Sequence, residues 1–262
     1  MPETDRYTRG ARSIPHESEI MLEERATPGL HASLLAQVER LGVVSPNSRI
    51  LDLACGTGAW LKRLHNVGYR YLWGIDRDEE GFGAEDIAQF ISADLDNAGD
   101  ILARLGNRQF ELVTMIEIIE HVADPTRLVR LAYDALRPGG WLLVTSPNIY
   151  SLRSRVRFLL RQKLFYFESA SHAPIELDHF HPLVIEAYQR KLFTPVGFSL
   201  TKIWTYPANG SNETRWFARF ATRLLQLTFR DDLPGDQLCL LLRKPDPSTD
   251  RFKPVNGDRR GC

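Results

Sequence analysis

The segment Arg49–Val67 constrains the fold of this chain more than any other. Its first residues, Arg49–Ala54, form a short, mostly apolar stretch, as expected of a buried strand. A turn containing Gly56 and Gly58 follows, and Ala59–Val67 has the composition of a helix. Glycines allow the backbone to approach a ligand closely, and the N-terminus of a helix favours an anionic group. The segment therefore predicts a strand, an anion-binding turn and a helix.

Strand and helix patterns continue to alternate after this segment. We predict strands at Tyr71–Ile75, Gln89–Ser92, Leu112–Ile116 and Trp141–Thr145. The predicted helix 125–136 ends at a Pro-Gly-Gly stop signal. Short buried strands separated by helices indicate an α/β fold, with a mostly parallel sheet covered by helices on both faces.

A helix is also predicted before the first strand, at Gly29–Leu41. The pattern is less regular at Glu79–Ile87, where Gly81 and Gly83 make any helix short or irregular. After an insertion at 148–181 the alternation resumes. It is predicted to continue with a helix at 183–192 and strands near 198–204 and 237–242.

Three aspartates stand at the predicted carboxyl ends of the first three strands. They are Asp52, Asp76 and Asp94, and open α/β sheets bind ligands at that edge. Asp52 can orient the glycine turn and meet an ammonium group. Asp76 can accept from both hydroxyls of a ribose, and Asp94 can accept from an adenine amino group. A dinucleotide fingerprint would need a third small residue near position 61, where this chain has Leu61.

These residues, together with the segments Phe110–Pro125 and Arg137–Gly140, resemble the ordered motifs of class I S-adenosylmethionine (SAM)-dependent methyltransferases. The resemblance spans roughly residues 45–205. Within that class, the chain is similar to the group of ubiquinone-biosynthesis O-methyltransferases and type 11–23 methyltransferases. It implies a Rossmann-like, seven-stranded sheet whose last strand is antiparallel, with SAM as the methyl donor. The implied cofactor-binding residues are Asp52, Ala54, Gly56, Gly58, Asp76, Arg77, Asp94, Leu95 and Ile116.

Acidic and imidazole side chains follow the fourth strand, beside the predicted methyl donor. The spacing of Glu117 and His121 places both on one side of a helical turn, with Glu120 between them, and His179 and His181 come later in the chain. We predict catalytic roles for Glu117, Glu120, His121 and His179. His121 or His179 would act as general base if no metal is bound. Glu120 and His121 could also serve only to hold loops together.

The same acids and histidines are similar to the metal ligands of the small-RNA 3′-end 2′-O-methyltransferases. That resemblance implies a divalent ion (Mg²⁺, Mn²⁺ or Zn²⁺) held by Glu117, Glu120 and His121 with either His179 or His181. We take His181 as the fourth ligand. A metal that chelates two neighbouring oxygens would lower the pKa of the acceptor.

Two basic, amphipathic stretches stand out near the C-terminal half. One lies in the insertion 148–181, which the resemblance implies is a helical lid over the acceptor, and the other is a predicted helix at 213–228. Three interpretations remain open. The helices could pack on the domain with solvated arginines, grip a lipid- or phosphate-linked acceptor with peripheral membrane contact, or bind an RNA backbone.

Composition limits the remaining possibilities. Thirty-three basic residues balance 33 acidic ones, which makes nucleic acid an unlikely partner, and three scattered cysteines form no disulfide framework. We expect a cytoplasmic protein with no signal peptide, associated at most peripherally with a membrane. The predicted organisation is an N-terminal helical extension at 1–44, a methyltransferase domain at 45–245 and a flexible tail at 246–262.

The leading functional prediction is O-methylation of a small hydroxylated acceptor, such as a catechol-like ring, a sugar or a natural-product intermediate. One alternative is an RNA ribose 2′-O-methyltransferase. Another is a catalytically silent SAM-binding protein. The acceptor and the oligomeric state are not encoded in any motif of the sequence.

Overall fold

The structure is a computed structural model that describes residues 22–97, 99–164, 166–167, 179–207 and 233–249. Its centre is one seven-stranded sheet. The strands are β1 (Arg49–Leu53), β2 (Tyr71–Asp76), β3 (Gln89–Ser92), β4 (Phe110–Ile116), β5 (Leu136–Pro147), β6 (Ser199–Tyr206) and β7 (Gln237–Arg243). The helices are α1 (Leu30–Leu41), α2 (Ala59–Asn66), α3 (Ile101–Arg104), α4 (Pro125–Ala135), α5 (Leu152–Arg161), α6 (Ile185–Tyr188) and α7 (Thr194–Val196).

The order of strands across the sheet is β3-β2-β1-β4-β5-β7-β6. The first five strands in this order pair in parallel. The last strand of the chain, β7, is antiparallel to both of its neighbours, as the resemblance implied. The order reverses between β1 and β4, and such a reversal opens a crevice at the carboxyl ends of the strands.

Helices cover both faces of the sheet because side chains alternate along the strands. On one face, Leu51 and Leu53 of β1 pack in a buried cluster with residues of α3 and α4. On the other face, Ile50 packs with residues of α1 and α2. The predicted α/β sheet with helices on both faces is therefore confirmed.

Two element predictions differ from the structure. The helix predicted at 183–192 is instead the single turn α6, a π-helical turn at Gln189–Phe193 and the short α7, which contains Pro195. The apolar residues Leu192 and Phe193 reach the core from the wider turn. The fifth strand begins earlier than predicted, at Leu136, because Leu136 pairs with Phe110 across a β-bulge.

Several predictions concern residues outside the described parts. They are the first part of the N-terminal extension (1–21), the helix at 213–228, the tail beyond residue 249 and part of the insertion (165 and 168–178). Within the insertion the structure describes α5, but a lid role remains a prediction. No helix in the described ranges is long and apolar enough to cross a membrane.

Candidate functional site

A cleft lies at the carboxyl ends of β1, β2 and β4, where the strand order reverses. Eight of the nine predicted cofactor residues line this cleft: Asp52, Ala54, Gly56, Asp76, Arg77, Asp94, Leu95 and Ile116. Gly58 is not among the lining residues. It forms the N-cap of α2 in the left-handed conformation instead. All three strand-end aspartates therefore line one cleft.

The glycine turn is held open by close packing and backbone bonds. Gly58 has φ +82°, and an added Cβ would lie 2.6 Å from the Ala84 Cβ and 2.8 Å from a ring carbon of Phe82. The backbone N–H groups of Ala54 and Cys55 donate to the Ile75 carbonyl at 2.8 and 3.0 Å. These bonds tie the turn to the end of β2 and fix its position beside the cleft.

Asp76 joins two loops of the cleft. Its carboxylate accepts from the N–H of Gly56 at 2.8 Å and from the N–H of Asp78 at 3.0 Å. Each carboxylate oxygen can accept more than one hydrogen bond, so these bonds leave capacity for ribose hydroxyls. Asp94 is exposed at the edge of the cleft and accepts from the N–H of Asp96 at 3.0 Å.

Asp52 lies at the floor of the cleft and is buried. Its Oδ1 accepts from the Thr114 hydroxyl at 2.6 Å. Burial raises the pKa of Asp52 to about 7, the Thr114 bond opposes that shift, and the nearby Asp76 charge adds to it. A cationic ligand group in the cleft would supply the missing counter-charge, as the ammonium group of SAM would.

An N-terminal strap, residues 22–28, crosses the cleft and was not predicted from the sequence. Thr57 donates through its hydroxyl to the Glu23 carbonyl at 2.7 Å, and Arg25 forms an ion pair with Asp78 at 2.9 Å. Arg25 and Ala26 line the cleft, together with His31 from α1. The strap has no periodic pattern, and its contacts depend on residues far along the chain, so no local signal could reveal it.

Glu117 fastens this strap at the far side of the cleft. It has a left-handed φ of +50° directly after β4. Its carboxylate accepts from the N–H and the hydroxyl of Thr27 at 2.8 and 3.1 Å. Gln237 donates to the same hydroxyl at 2.7 Å. Burial raises the pKa of Glu117, and the two Thr27 bonds oppose that shift.

Glu120, His121 and His179 meet beside Glu117. One ligand atom from each of these three lies within 4.8 Å of the others. The two imidazole rings are 4.5 Å apart between centroids, and His121 lines the cleft. His179 reaches the cluster because the neighbouring N–H groups of Phe180 and His181 donate to the Glu120 carbonyl at 2.8 and 3.2 Å.

Glu120 is fully buried, and burial raises its pKa to about 8. Neither of its carboxylate oxygens has a hydrogen-bond partner among the described residues. The four residues predicted as metal ligands are therefore brought together only in part. Glu120 and His121 lie in the cluster with His179, whereas Glu117 is engaged by the strap and His181 is not among the clustered groups.

The tautomer of His179 follows from its partner. The Nδ1 atom lies within hydrogen-bond distance of the Tyr166 backbone carbonyl, which can only accept. Nδ1 must therefore carry the proton, and in the neutral ring Nε2 holds the lone pair. His179 can thus accept a proton or bind a cation through Nε2.

Comparisons with known proteins agree with this fold. A profile of a family described as a methyltransferase domain matches residues 25–203, which is more than half of the chain. A ubiquinone biosynthesis O-methyltransferase of Paraburkholderia phymatum is 31% identical over 104 residues, which cover 38% of this chain and 44% of that protein. The chain thus matches less than half the length of this relative.

Solved structures extend the similarity to most of the chain. A SAM-dependent methyltransferase from Archaeoglobus fulgidus is 19% identical with a TM-score of 0.55, covering 82% of this chain and 94% of that one. The plantazolicin methyltransferase BpumL, in complex with a pentazolic desmethylPZN analogue and SAH, is 19% identical with a TM-score of 0.54. That match covers 84% of this chain and 87% of BpumL. At this identity the two structures show the fold alone.

Proposed function

The chain belongs to the methyltransferase-domain family, as a class I SAM-dependent methyltransferase, and from that premise we propose O-methylation of a small hydroxylated acceptor. The observation that carries this proposal is the cluster of Glu120, His121 and His179 next to the cofactor cleft. A hydroxyl group is a poor nucleophile until its proton leaves, and this cluster provides groups that remove a proton.

The cofactor is held by the chain's own polar groups. Asp76 would accept from the ribose hydroxyls, Asp94 would accept from the adenine amino group, and the N-terminus of α2 would favour the carboxylate of SAM. Asp52 meets the ammonium. A neighbour with this fold, BpumL, is described with SAH, which supports SAM as the donor here.

The reaction is a direct displacement. With SAM bound, the acceptor oxygen would attack the sulfonium methyl carbon, the new C–O bond would form as the S–CH₃ bond breaks, and the proton of the hydroxyl would pass to an imidazole. The products are the methyl ether, SAH and a protonated base. His121 is the proposed base because it lines the cleft, and His179, 4.5 Å away between ring centroids, can share the proton. SAM supplies the reactivity, so the protein mainly aligns the partners.

As an alternative to the imidazole base, we propose that Glu120, His121 and His179 hold a divalent cation, in which case the imidazole lone pairs bind the ion and do not accept the proton. The support is the pair of unpartnered, buried carboxylate oxygens of Glu120, whose charge a cation would balance. One carboxylate with two imidazoles is a ligand set that suits Zn²⁺ or Mn²⁺. When bound, the ion would lower the pKa of a coordinated acceptor hydroxyl.

The first test is calorimetric titration with SAM, then with Mg²⁺, Mn²⁺ or Zn²⁺. We compare the wild type with Glu120→Gln and with Glu111→Gln, which changes a glutamate at the opposite end of β4. We expect SAM to bind all three proteins and the metal to bind only the wild type and Glu111→Gln. Metal binding that survives in Glu120→Gln would contradict the proposed cation site.

The second test concerns the acceptor. Methyl-labelled SAM is incubated with catechols, sugars and matched amines, with and without the metal. We expect label in hydroxyl acceptors, and loss of transfer in His121→Asn while SAM binding is retained. Transfer to amines alone would refute O-methylation, and SAM binding without transfer to any acceptor would favour a silent SAM-binding protein.

A further inference from the structure

The helix α5 turns a polar side toward the rest of the protein and its apolar side outward, which is the reverse of an ordinary surface helix. Such a helix normally turns its apolar stripe toward the core. In α5 the only buried residue is Ser154. Leu159 and Leu160 are instead 81% and 75% exposed, and Val156 is exposed as well.

The geometry of the helix places this apolar stripe outward. At 3.6 residues per turn, Val156, Leu159 and Leu160 lie roughly opposite Ser154. Ser151 caps the helix, accepting from the Ser154 N–H at 3.2 Å, so the orientation is set from the first turn. Leu159 also borders a groove that continues the apolar surface.

Arg153 and Arg155 flank the stripe on its two sides, about 100° from Ser154 in either direction, and the segment around them is basic. Residues 149–164 contain five basic side chains (Arg153, Arg155, Arg157, Arg161 and Lys163), and no acidic residue occurs between Asp134 and Glu168. Arg153 is partly balanced by Asp236 at 3.7 Å. The chain as a whole is neutral, so this concentration of positive charge is local.

We propose that the α5 surface, residues 152–163, docks on a bilayer that contains anionic phospholipids. A helix with an apolar stripe bordered by arginines lies in the membrane interface, with the stripe among the acyl chains and the guanidinium groups among the headgroups. An RNA backbone would engage the arginines but leave Leu159 and Leu160 exposed to water. The exposed leucines therefore favour a lipid surface.

The position of α5 gives docking a consequence for the acceptor. Only residues 148–151 separate the helix from the end of β5, at the carboxyl edge of the sheet where the cleft opens. Tyr150, just before the helix, accepts through its hydroxyl from the Ile185 N–H at 2.9 Å, which ties this segment to α6. Docking would thus bring this edge toward the membrane, where an amphiphilic hydroxylated acceptor would be found.

The test uses the full-length protein and sedimentation with vesicles. One set is phosphatidylcholine alone, and the other is equal parts of phosphatidylcholine and phosphatidylglycerol. The variants are Leu159→Gln/Leu160→Gln and Arg153→Gln/Arg155→Gln. The matched controls are Val67→Gln/Tyr71→Gln, which replaces residues 46% and 50% exposed elsewhere, and Arg40→Gln/Arg70→Gln.

We expect the wild type and both controls to sediment with the anionic vesicles, and less so at high salt. The leucine variant should lose at least tenfold in partitioning, and the arginine variant should lose the preference for phosphatidylglycerol. SAM titration of every variant shows whether the fold and cofactor site are intact, independently of membrane binding.

Three outcomes would overturn the proposal. The first is a wild type that stays in the supernatant with anionic vesicles. The second is an equal loss of partitioning onto anionic vesicles in the leucine variant and in Val67→Gln/Tyr71→Gln. The third is a different occupant: binding to an RNA oligonucleotide unaffected by the leucine changes, or a dimer in sedimentation equilibrium that those changes dissociate.

Discussion

Replacing Asp52 by asparagine tests the electrostatics of the cleft floor directly. The asparagine side chain keeps an oxygen that can accept the Thr114 hydroxyl bond, but it cannot ionise. Burial raises the pKa of Asp52 from 3.8 to about 7. An acid whose pKa is raised by folding stabilises the fold when protonated. That stability is fully present below the ordinary pKa and is lost as the pH rises through about 7.

The size of the effect follows from the shift. Each pKa unit corresponds to about 1.4 kcal/mol, so full ionisation of Asp52 lowers the free energy of unfolding by about 4 kcal/mol. Part of that loss has occurred by about pH 5, and the remainder between about pH 5 and pH 8 is on the order of 2–3 kcal/mol. The Asp52→Asn variant should therefore gain this amount over the wild type across the interval.

The assay is urea unfolding of cofactor-free protein at several pH values, with Asp86→Asn as the control because Asp86 is exposed in an ion pair with Lys62. Other buried acids, such as Glu120, remain in both proteins, so their contributions to the pH dependence of the free energy of unfolding cancel in the comparison. SAM affinity should fall at least tenfold in Asp52→Asn, about 1.4 kcal/mol, because the ammonium loses its carboxylate. Wild-type and variant curves that stay parallel across the pH range would refute the argument.

Three further predictions test the turn, the ribose site and the strap. Gly58→Ala should lower the free energy of unfolding by about 2–4 kcal/mol, because Cβ clashes add to left-handed strain. Gly42 has a similar φ but open space where a Cβ would lie, so Gly42→Ala should lower the free energy of unfolding in urea by only about 1 kcal/mol. Equal losses of stability in the two variants would exclude the clash. Asp76→Asn should weaken SAM binding at least tenfold by calorimetry while the fold persists by circular dichroism, and unchanged affinity would remove Asp76 from the site. Glu117→Gln should loosen the strap and speed tryptic cleavage after Arg25, measured by mass spectrometry. Wild-type cleavage rates in that variant would show that Glu117 does not hold the strap.

The aspartates and the glycine turn of the cleft could be predicted from the sequence because their determinants are local. Asp52 and Asp76 each follow an apolar strand directly, and in a parallel sheet the carboxyl ends of the strands meet at one edge. The glycine turn likewise carries its own signal in Gly56 and Gly58. Periodicity and turn residues suffice when the residues that form a site stand next to the elements that position them.

The acceptor side could be predicted only in part because its contacts are made across long stretches of chain. Thr27 and Glu117 are 90 residues apart, and Thr27 and Gln237 are 210 apart. No pattern near Thr27 indicates either partner. The resemblance placed Glu117 with the metal ligands, whereas in the structure its carboxylate accepts from Thr27.

The selection of His179 over His181 shows how the backbone decides which imidazole reaches the cluster. Two consecutive N–H groups, from Phe180 and His181, converge on the carbonyl of Glu120. This anchor holds the segment to the loop that follows β4, and the residue just before the anchor, His179, joins Glu120 and His121. The Tyr166 carbonyl then fixes the His179 ring from the insertion side. The geometry of the proposed cluster of Glu120, His121 and His179 thus depends on the insertion as well as on β4, so changes in the insertion should alter the chemistry and not only the choice of acceptor.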